Sequence, residues 1–546
     1  MSDPLEASVS VRSPQAIGAG NPDARQPEAS QGSTSPNDVS RHVVFMARGG
    51  GITFAGKMFL TAVRVVTAVA LARLLEASQL GLYSMALSVA NIGVAIAIFG
   101  LDAALVRYVA VLVARRDEKA VWGALQFSVG LGMTLSVLTG TLIFALAYPA
   151  AEVLFGEPGL APLLQLTAVI VPLLTLSELL AGAIRGFKRM DYAALAQFIA
   201  QPVIRLILLA VLAVAGLTPI EAIVTFGLAD LAASFILLYY LNRVFPLRRP
   251  LRDAVRDTRA ITSFSVPVWL SDMMVKFHTN FQTLILGSLS SFAGAGIFTV
   301  VSQVTLISGQ FSSSINVSAK PVVAELHDRS DMDEMNRLYQ TANKWAVMVQ
   351  LPVFLIMMLY PEQILLVFGQ SFTDGAVALM ILAVSSLILV GTGMGGIILD
   401  MGGHTRLKLL NSVLRLATFL ALDLLLIPRW GVVGAAVAAL AGESLVNLLR
   451  LGEVYYLFRL LPYNRSFLRL GAAALVALTA ALLVGRRWPP GQNLAFTAIN
   501  AAVLLAVYTA LTLKFGFSTE EKSLVALARR RASSAIGRAN KEKAPR

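Results

Sequence analysis

The most constraining feature of this chain is a succession of apolar runs, each about 20 residues long, that recurs between residues 52 and 514. A run of this length crosses the hydrocarbon core of a bilayer as a helix. Backbone groups find no water in lipid, so these runs are predicted to be α-helices. Charged residues make up only 14% of the chain, whereas soluble proteins carry roughly 25%. The sequence therefore predicts an all-α integral membrane protein.

The two hydrophobic halves of the chain repeat each other. A Tyr-Pro pair that leads to a Phe-Gly pair occurs at 148–156 and again at 360–369. A similar register places Gly81 opposite Gly296. The apolar runs give about fourteen transmembrane helices, six in each half, and an even number gives both halves the same orientation. We therefore expect two parallel six-helix repeats, forming an N-lobe and a C-lobe around a central cavity, followed by two extra helices.

The distribution of charge divides the chain and orients it. The predicted outside connections at 75–81, 149–162, 217–221, 290–296 and 361–376 contain no lysine or arginine. Basic residues collect in the other connections, with Arg429, Arg486 and Arg487 as the exceptions, and this asymmetry predicts that both termini lie in the cytoplasm. The predicted segments are a disordered cytoplasmic tail (1–48), the N-lobe (49–241), a basic cytoplasmic linker (242–260), the C-lobe (261–458), two further helices (459–514) and a basic cytoplasmic tail (515–546).

The net charge of +13 does not point to nucleic acid, because the basic residues lie in the tails and inside connections. Such segments are typical of contacts with anionic lipid headgroups. The chain contains no cysteine, and its four histidines lack metal-ligand spacing. We expect no metal, no cofactor, no nucleic-acid partner and no enzymatic activity.

Several predicted helices contain charges that are costly inside a membrane and must pair, reach the interface or face a wet cavity. Lys57 and Arg64 lie seven positions apart on one face, with no acidic neighbour on their helix. The repeat places Lys57 opposite Asp272, and Asp272 with Lys276 also fits a simple pair within one helix. We predict a cationic central cavity that binds an anionic headgroup and is lined or flanked by Lys57, Arg64, Arg205, Asp272, Lys276 and Arg415.

Other polar positions have less specific interpretations. Three basic residues near helix ends are predicted to extend to the interface: Arg73, Lys344 and Arg450. The glycine-rich stretch 391–396 spells a dinucleotide-binding pattern, but it lies in an apolar helix and favours close packing or a hinge. Four acidic residues are candidates for coupling to a proton or sodium gradient, with structural pairing as an equal alternative: Glu178, Asp230, Asp423 and Glu443.

Three segments carry a family resemblance that covers about residues 45–460. The three segments are residues 72–76 (Ala-Arg-Leu-Leu-Glu) with 81–83 (Gly-Leu-Tyr), residues 185–190 (Arg-Gly-Phe-Lys-Arg-Met), and residues 426–436 around Ile-Pro-Arg-Trp-Gly. They resemble bacterial polysaccharide-transporter flippases, the Wzx-type branch of the multidrug/oligosaccharidyl-lipid/polysaccharide exporter superfamily. The segment at 426–436 is the most specific of the three.

The resemblance implies a function in the bacterial inner membrane. It implies alternating access that moves undecaprenyl-diphosphate-linked oligosaccharide to the outer face, for O-antigen, exopolysaccharide or capsule synthesis. Polysaccharide polymerases and glycosyltransferases would then be partners, and a proton or sodium gradient could drive transport. The alternatives are a multidrug or cation antiporter of the same superfamily, a lipid II flippase, and a membrane polymerase or ligase.

Overall fold

The computed structural model describes residues 36–214, 216–247, 250, 254–487 and 494–516. Within these ranges, the side chains at 36–60, 275, 317, 318, 405, 487 and 516 lie outside the description. The described chain is helical with short connections and contains no strand. The predicted all-α class is therefore confirmed for these residues.

Seventeen α-helices lie in the described ranges; three short π or 3₁₀ segments connect helices, and a fourth follows the last helix. The helices are α1 (Pro36–Ile98), α2 (Leu101–Ala114), α3 (Glu118–Pro149), α4 (Leu160–Gly186), α5 (Met190–Ala194), α6 (Gln201–Ala213), α7 (Pro219–Val244), α8 (Thr258–Leu289), α9 (Phe292–Ser308), α10 (Gln310–Asp328), α11 (Met332–Leu359), α12 (Pro361–Leu366), α13 (Ala376–Thr392), α14 (Gly395–Met401), α15 (Thr405–Phe458), α16 (Ser466–Arg487) and α17 (Leu494–Leu511).

Ten continuous helical segments of the described chain are long and apolar enough to cross a membrane. Counting the bent pair α9–α10, which turns by 49°, gives eleven. Two long helices are kinked, α1 at Glu76 with φ 57° and α15 at Gly431 with φ 51°, and each kink divides its helix into two arms. The protein is thus a multi-pass membrane protein, while the count of fourteen spans and the parallel repeat stay predictions.

Some boundaries differ from the sequence-based division. Helix α1 begins at Pro36, so residues 36–48 are helical although the sequence analysis assigned them to a disordered tail. Composition did not indicate this helix start, because the first residues of the helix are polar and follow a polar segment. The rest of that tail and residues 517–546 of the basic C-terminal tail lie outside the described residues.

The connection between α7 and α8, inside the predicted linker, is held against the start of α3. The Val255 amide donates to the Lys119 carbonyl at 3.2 Å, and the Trp122 indole donates to the Pro250 carbonyl at 3.2 Å. The Asp257 carboxylate caps α8 by accepting from the Ala260 amide at 3.0 Å. The linker therefore fixes the start of α8 on the first half of the chain.

The apolar core is shared between the halves at one end of the molecule and divided at the other. One buried cluster combines Leu75 and Met85 from the first half with Leu286 and Phe372 from the second. Two separate clusters fill the opposite ends, one centred on α2, α3 and α4 and the other on α10, α11 and α14. The shared cluster lies beside the connections that the loop charges predict to be outside, so the halves meet at the end of the molecule with that predicted orientation.

Two glycines bring the backbones of the halves together in this shared region. A Cβ atom on Gly81 would lie 1.8 Å from the Phe292 carbonyl oxygen, and one on Gly296 would lie 2.0 Å from the Ala77 carbonyl oxygen. These are the two glycines that the repeat placed opposite each other. Arg73 adds a second contact by donating to the carbonyls of Leu366 and Val367 at 2.8 and 2.9 Å.

We expect Gly81→Ala to force the outer ends apart. Overpacking costs about 1–3 kcal/mol, which shifts the balance between closed and open outer ends by roughly tenfold. The measurement is thiol labelling from outside at Leu80→Cys, a buried position in a chain that has no native cysteine. Gly130→Ala is the matched control, because nothing lies within 4 Å of a Cβ there. Equal labelling in the two variants would show that this contact does not close the outer end.

Candidate functional site

Helix α8 forms a wall between the two halves of the chain. Its Trp269 indole donates to the Ala95 carbonyl of α1 at 2.8 Å. Near the start of α8, the Tyr108 hydroxyl of α2 donates to the Ala260 carbonyl at 2.9 Å. Although the sequence assigns α8 to the C-lobe, the helix is therefore hydrogen-bonded to the first half over much of its length.

Charged side chains from both halves gather beside this wall. Asp272 and Lys276 on α8 are exposed. Asp102 on α2 and Lys408 on α15 are both close enough to Asp272 for Coulombic interaction. Among the described side chains, no ion pair within 4.0 Å joins Asp272 to Lys276. The structure thus brings Asp272 and Lys276 to the space between the halves without pairing them to each other.

The two cations predicted on the first helix are described to different extents. The Arg64 side chain on α1 is exposed, and no hydrogen bond or ion pair joins it to another described side chain. Lys57 lies on the same helix, but its side chain is outside the described residues. A cationic cavity lined by α1 therefore stays a prediction.

Arg205, predicted to flank the cavity, is engaged within the first half. Its guanidinium donates to the hydroxyl of Tyr83, which is buried. The guanidinium carbon also lies 4.8 Å from the centre of the Phe226 ring, within the range of a cation–π contact. These contacts hold the arginine between α1 and α7. Arg205 can therefore reach the cavity only if it gives up its contacts with Tyr83 and Phe226.

Arg415 and Glu443, predicted to have separate roles, form one ion pair. Arg415 Nη1 lies 3.3 Å from Glu443 Oε1 across the two arms of α15, and each side chain is about one-fifth exposed, at 20% and 21%. The Asn447 amide also donates to Glu443 Oε2 at 3.2 Å. This pair compensates two charges that would be costly in lipid if they were isolated.

The other three predicted coupling residues fall into two kinds. Glu178 lies 3.8 Å from Arg185 and is 43% exposed, so it belongs to a loose surface pair. Asp230 is 4% exposed and accepts from Gln201 at 2.8 Å. Asp423 is 3% exposed and accepts from Gln282 at 2.9 Å, and that amide also donates to a backbone carbonyl. Of the four predicted coupling residues, the two aspartates are therefore the buried carboxylates that accept from neutral donors.

A polar cavity of about 230 Å³ lies inside the second half, at the break between α13 and α14. Gly393 has φ +69° and ends α13, while the freed carbonyls of Gly391 and Thr392 accept from Asn343 at 2.7 Å and Tyr339 at 2.6 Å. The glycine-rich stretch is therefore a break in a membrane helix. The polar side chains that line the cavity are Asn316, Thr392, Asp400, Lys408, Asn411, Asn447 and Arg450.

Most of these lining residues were missed by the sequence analysis. Arg450 was predicted to extend to the interface, but it lines the cavity; Lys344, given the same role, is only 3% exposed. Both predictions were wrong because closeness to a helix end does not say which face of the helix a side chain occupies. The glycine interruption in an apolar segment was the available signal, since broken helices often mark binding sites in transporters.

Comparison with known proteins places the chain among polysaccharide biosynthesis proteins. The family model with the description "Polysaccharide biosynthesis protein" matches residues 46–327. Stage V sporulation protein B of Bacillus subtilis is 23% identical over 434 residues, which are 74% of this chain and 83% of that protein. The probable flippase AglR of Haloferax volcanii is 25% identical over 223 residues, 39% of this chain and 46% of its own length.

Two solved structures share the fold. The lipid II flippase MurJ in an inward closed conformation has a TM-score of 0.68 at 13% identity, over 85% of this chain and 98% of that chain. An inward-facing multidrug resistance MATE family transporter of the MOP superfamily has a TM-score of 0.61 at 17% identity, over 73% and 94% of the two chains. At such identities the likeness concerns the fold alone.

We expect Arg415→Met to lower the free energy of unfolding by roughly 2–4 kcal/mol, because the mostly buried Glu443 carboxylate then lacks the arginine that offsets its charge. The double variant Arg415→Met with Glu443→Gln should recover much of this loss. Thermal unfolding of the purified protein measures both effects. The control is Arg189→Met, since the pair of Arg189 with Asp191 is exposed. A double variant as unstable as the single one would contradict a mutual compensation of charge.

Proposed function

This chain belongs to the polysaccharide biosynthesis protein family, and we propose that it is a flippase for lipid-linked saccharides. Its substrate would be an undecaprenyl-diphosphate-linked oligosaccharide, moved across the bacterial inner membrane for the synthesis of O-antigen, exopolysaccharide or capsule. The observation that carries the proposal is the family match. Exposed charges between two membrane-embedded halves support it, because a polar headgroup needs such a path through lipid.

The direction of loading follows from the arrangement of the two halves. The glycine contact and the shared core join them at the ends that the loop charges place outside, while the cores are separate at the opposite ends. We propose that this state receives the substrate from the cytoplasm, with both termini also on that side. Rocking of the halves would then part Gly81 from Gly296 and release the headgroup outside.

The headgroup would be held by cations while the lipid tail remains in the bilayer. Lysine and arginine donate several hydrogen bonds to phosphate oxygens, and their charge offsets that of the diphosphate. Lys57, Arg64 and Lys276 are the proposed first contacts, with Asp272 orienting Lys276. Arg205 and Arg415 already have partners. They would bind the diphosphate only after their contacts with Tyr83 and Glu443 are broken.

Coupling to an ion gradient would use the buried aspartates. A carboxylate that is buried without a cation is destabilised in its charged form, so it can take up a proton or a sodium ion as the halves move. Asp230 and Asp423 meet this condition, each with one amide donor. Glu178 and Glu443 have arginine partners and fit a structural role better.

The proposed function also implies protein and lipid partners, and it involves no covalent change of the substrate. The saccharide-lipid would come from membrane glycosyltransferases and pass to a polymerase, while the basic tails would contact anionic lipids of the inner membrane. A multidrug antiporter is the less favoured alternative because its substrates are mostly cationic, whereas Arg64 and Lys276 present positive charge. Lipid II uses the same headgroup chemistry, so a substrate panel has to separate these two flippases.

We expect the double variant Lys57→Ala, Arg64→Ala to slow translocation of a fluorescent undecaprenyl-diphosphate oligosaccharide in proteoliposomes by about 100-fold. Two charge-assisted hydrogen bonds contribute roughly 1.5 kcal/mol each. The control variant Arg115→Ala, Arg116→Ala removes the same charge from an exposed connection. Transport as fast as wild type in the first variant would contradict the cationic cavity, and equal transport of lipid II would widen the substrate class.

We expect Asp423→Asn and Asp230→Asn to remove the dependence of transport on an ion gradient, because an amide cannot exchange a proton or bind sodium by charge. The rate is measured with the proton or the sodium gradient imposed and then collapsed by an ionophore. Glu178→Gln is the matched control and should keep the response. If the wild-type rate is indifferent to both gradients, the coupling proposal is wrong, although the flippase proposal stands.

A further inference from the structure

The polar cavity at the break between α13 and α14 has hydrogen-bonding capacity that the protein does not use. Asn411 lines the cavity, is 1% exposed, and its Oδ1 has no partner among the described residues. Asn316 and Arg450 also line it, and neither has a hydrogen bond or ion pair to another described residue. A buried polar atom without a partner costs about 1–3 kcal/mol, so the Asn411 oxygen is the strongest sign of a missing polar ligand, while Asn316 and Arg450 are half-buried donors beside it.

The unused groups come from three different helical segments. Asn316 lies on α10, Asn411 on the first arm of α15, and Arg450 on its second arm. The Asn411 amide nitrogen is already held by Glu453 at 2.8 Å, which fixes the orientation of its free oxygen. Convergence of oriented polar groups on one enclosed space is the arrangement by which proteins bind small polar ligands.

The charges around the cavity balance, which sets the class of ligand. Arg450 is close enough for Coulombic interaction to Asp400, Glu443, Glu453 and Arg415, and Lys408 pairs with Asp400 at 3.0 Å. Three acidic side chains thus accompany three basic ones. A phosphate or carboxylate would find no surplus positive charge here, in contrast to the cationic face of α1. A neutral ligand that carries hydroxyl groups suits a balanced set of amides and paired charges.

The cavity is also placed where a headgroup would pass. Lys408, which lines it, is close enough for Coulombic interaction with Asp272 on the wall between the halves. A volume of about 230 Å³ accepts one sugar ring but not an oligosaccharide.

We propose that this cavity is a subsite for one uncharged sugar residue of the lipid-linked saccharide. The inference rests on the proposed function and deepens it: α1 binds the diphosphate, and the cavity at the α13–α14 break binds the sugar selectively. Asn316 and Asn411 hydrogen-bond to neighbouring hydroxyl or acetamido groups, and Arg450 donates to a ring or hydroxyl oxygen. A site built for such groups discriminates against a ligand that lacks them, because its polar atoms then stay unpaired.

The test is binding to the full-length protein in lipid nanodiscs. The probes are bare undecaprenyl diphosphate and the same lipid with one glucose, galactose, N-acetylglucosamine or glucuronic acid residue. We expect at least one of the neutral sugars to increase affinity about tenfold over the bare lipid, the effect of one or two net hydrogen bonds. Asn316→Ala and Arg450→Met should each reduce that ratio to near one.

Two further variants separate this inference from the proposed function. Asn336→Ala makes the same amide deletion in the second half, where Asn336 only accepts from the Leu461 amide, and it should keep the ratio. Lys57→Ala with Arg64→Ala should weaken the bare and the glycosylated lipid equally. If it changes neither affinity while Asn316→Ala removes the preference, the cationic cavity is wrong and the sugar subsite stands.

Three outcomes would overturn the sugar subsite. Wild-type protein that binds all the neutral glycolipids no better than the bare lipid contradicts it, as does a preference for glucuronic acid over every neutral sugar. A preference that survives both Asn316→Ala and Arg450→Met places sugar recognition elsewhere. Failure of the wild-type protein to bind any of these lipids removes the flippase proposal and this inference together.

Discussion

The lack of water inside a bilayer is the constraint on which the rest of this structure depends. Every backbone amide and carbonyl in the core must find a partner within the protein, and long continuous helices are the simplest solution. Where the chain departs from a helix, side chains replace the lost backbone hydrogen bonds. At the α13–α14 break, Tyr339 and Asn343 donate to two freed carbonyls. A polar cavity can therefore exist at that break without exposing the backbone to lipid.

The same constraint sorts the ionisable side chains. Arg415 and Glu443 meet across the arms of α15, and Arg205 is stabilised by Tyr83 and Phe226. The charges beside α8 are different, because Asp272 and Lys276 remain exposed between the halves. Charges with partners support the fold, whereas charges without them are available for a substrate. This division explains why the candidate site is smaller than the set of intramembrane charges.

The end at which the two halves meet is built from contacts that are suited to breaking and reforming. Gly81 and Gly296 let backbone approach backbone without interlocking side chains, and Arg73 adds two hydrogen bonds to carbonyls of the second half. Each half keeps its own apolar cluster at the opposite end. Separation of the outer ends would thus leave most of the buried area within each half intact. A protein that moves by rocking two halves needs such an unequal distribution of packing.

The sequence by itself determined the all-α membrane class, because apolar run length and low charge leave no other way to satisfy the backbone in lipid. It also identified Gly81 and Gly296 as a related pair, whereas the role it gave to Asp272 and Lys276 stays a prediction. Only the tertiary structure decided which charges have partners and that Asn316, Asn411 and Arg450 share one cavity. Asn316 lies far from Asn411 and Arg450 along the chain. A sequence shows that a buried polar group needs a partner, but it does not show which distant residue lies close enough to be that partner.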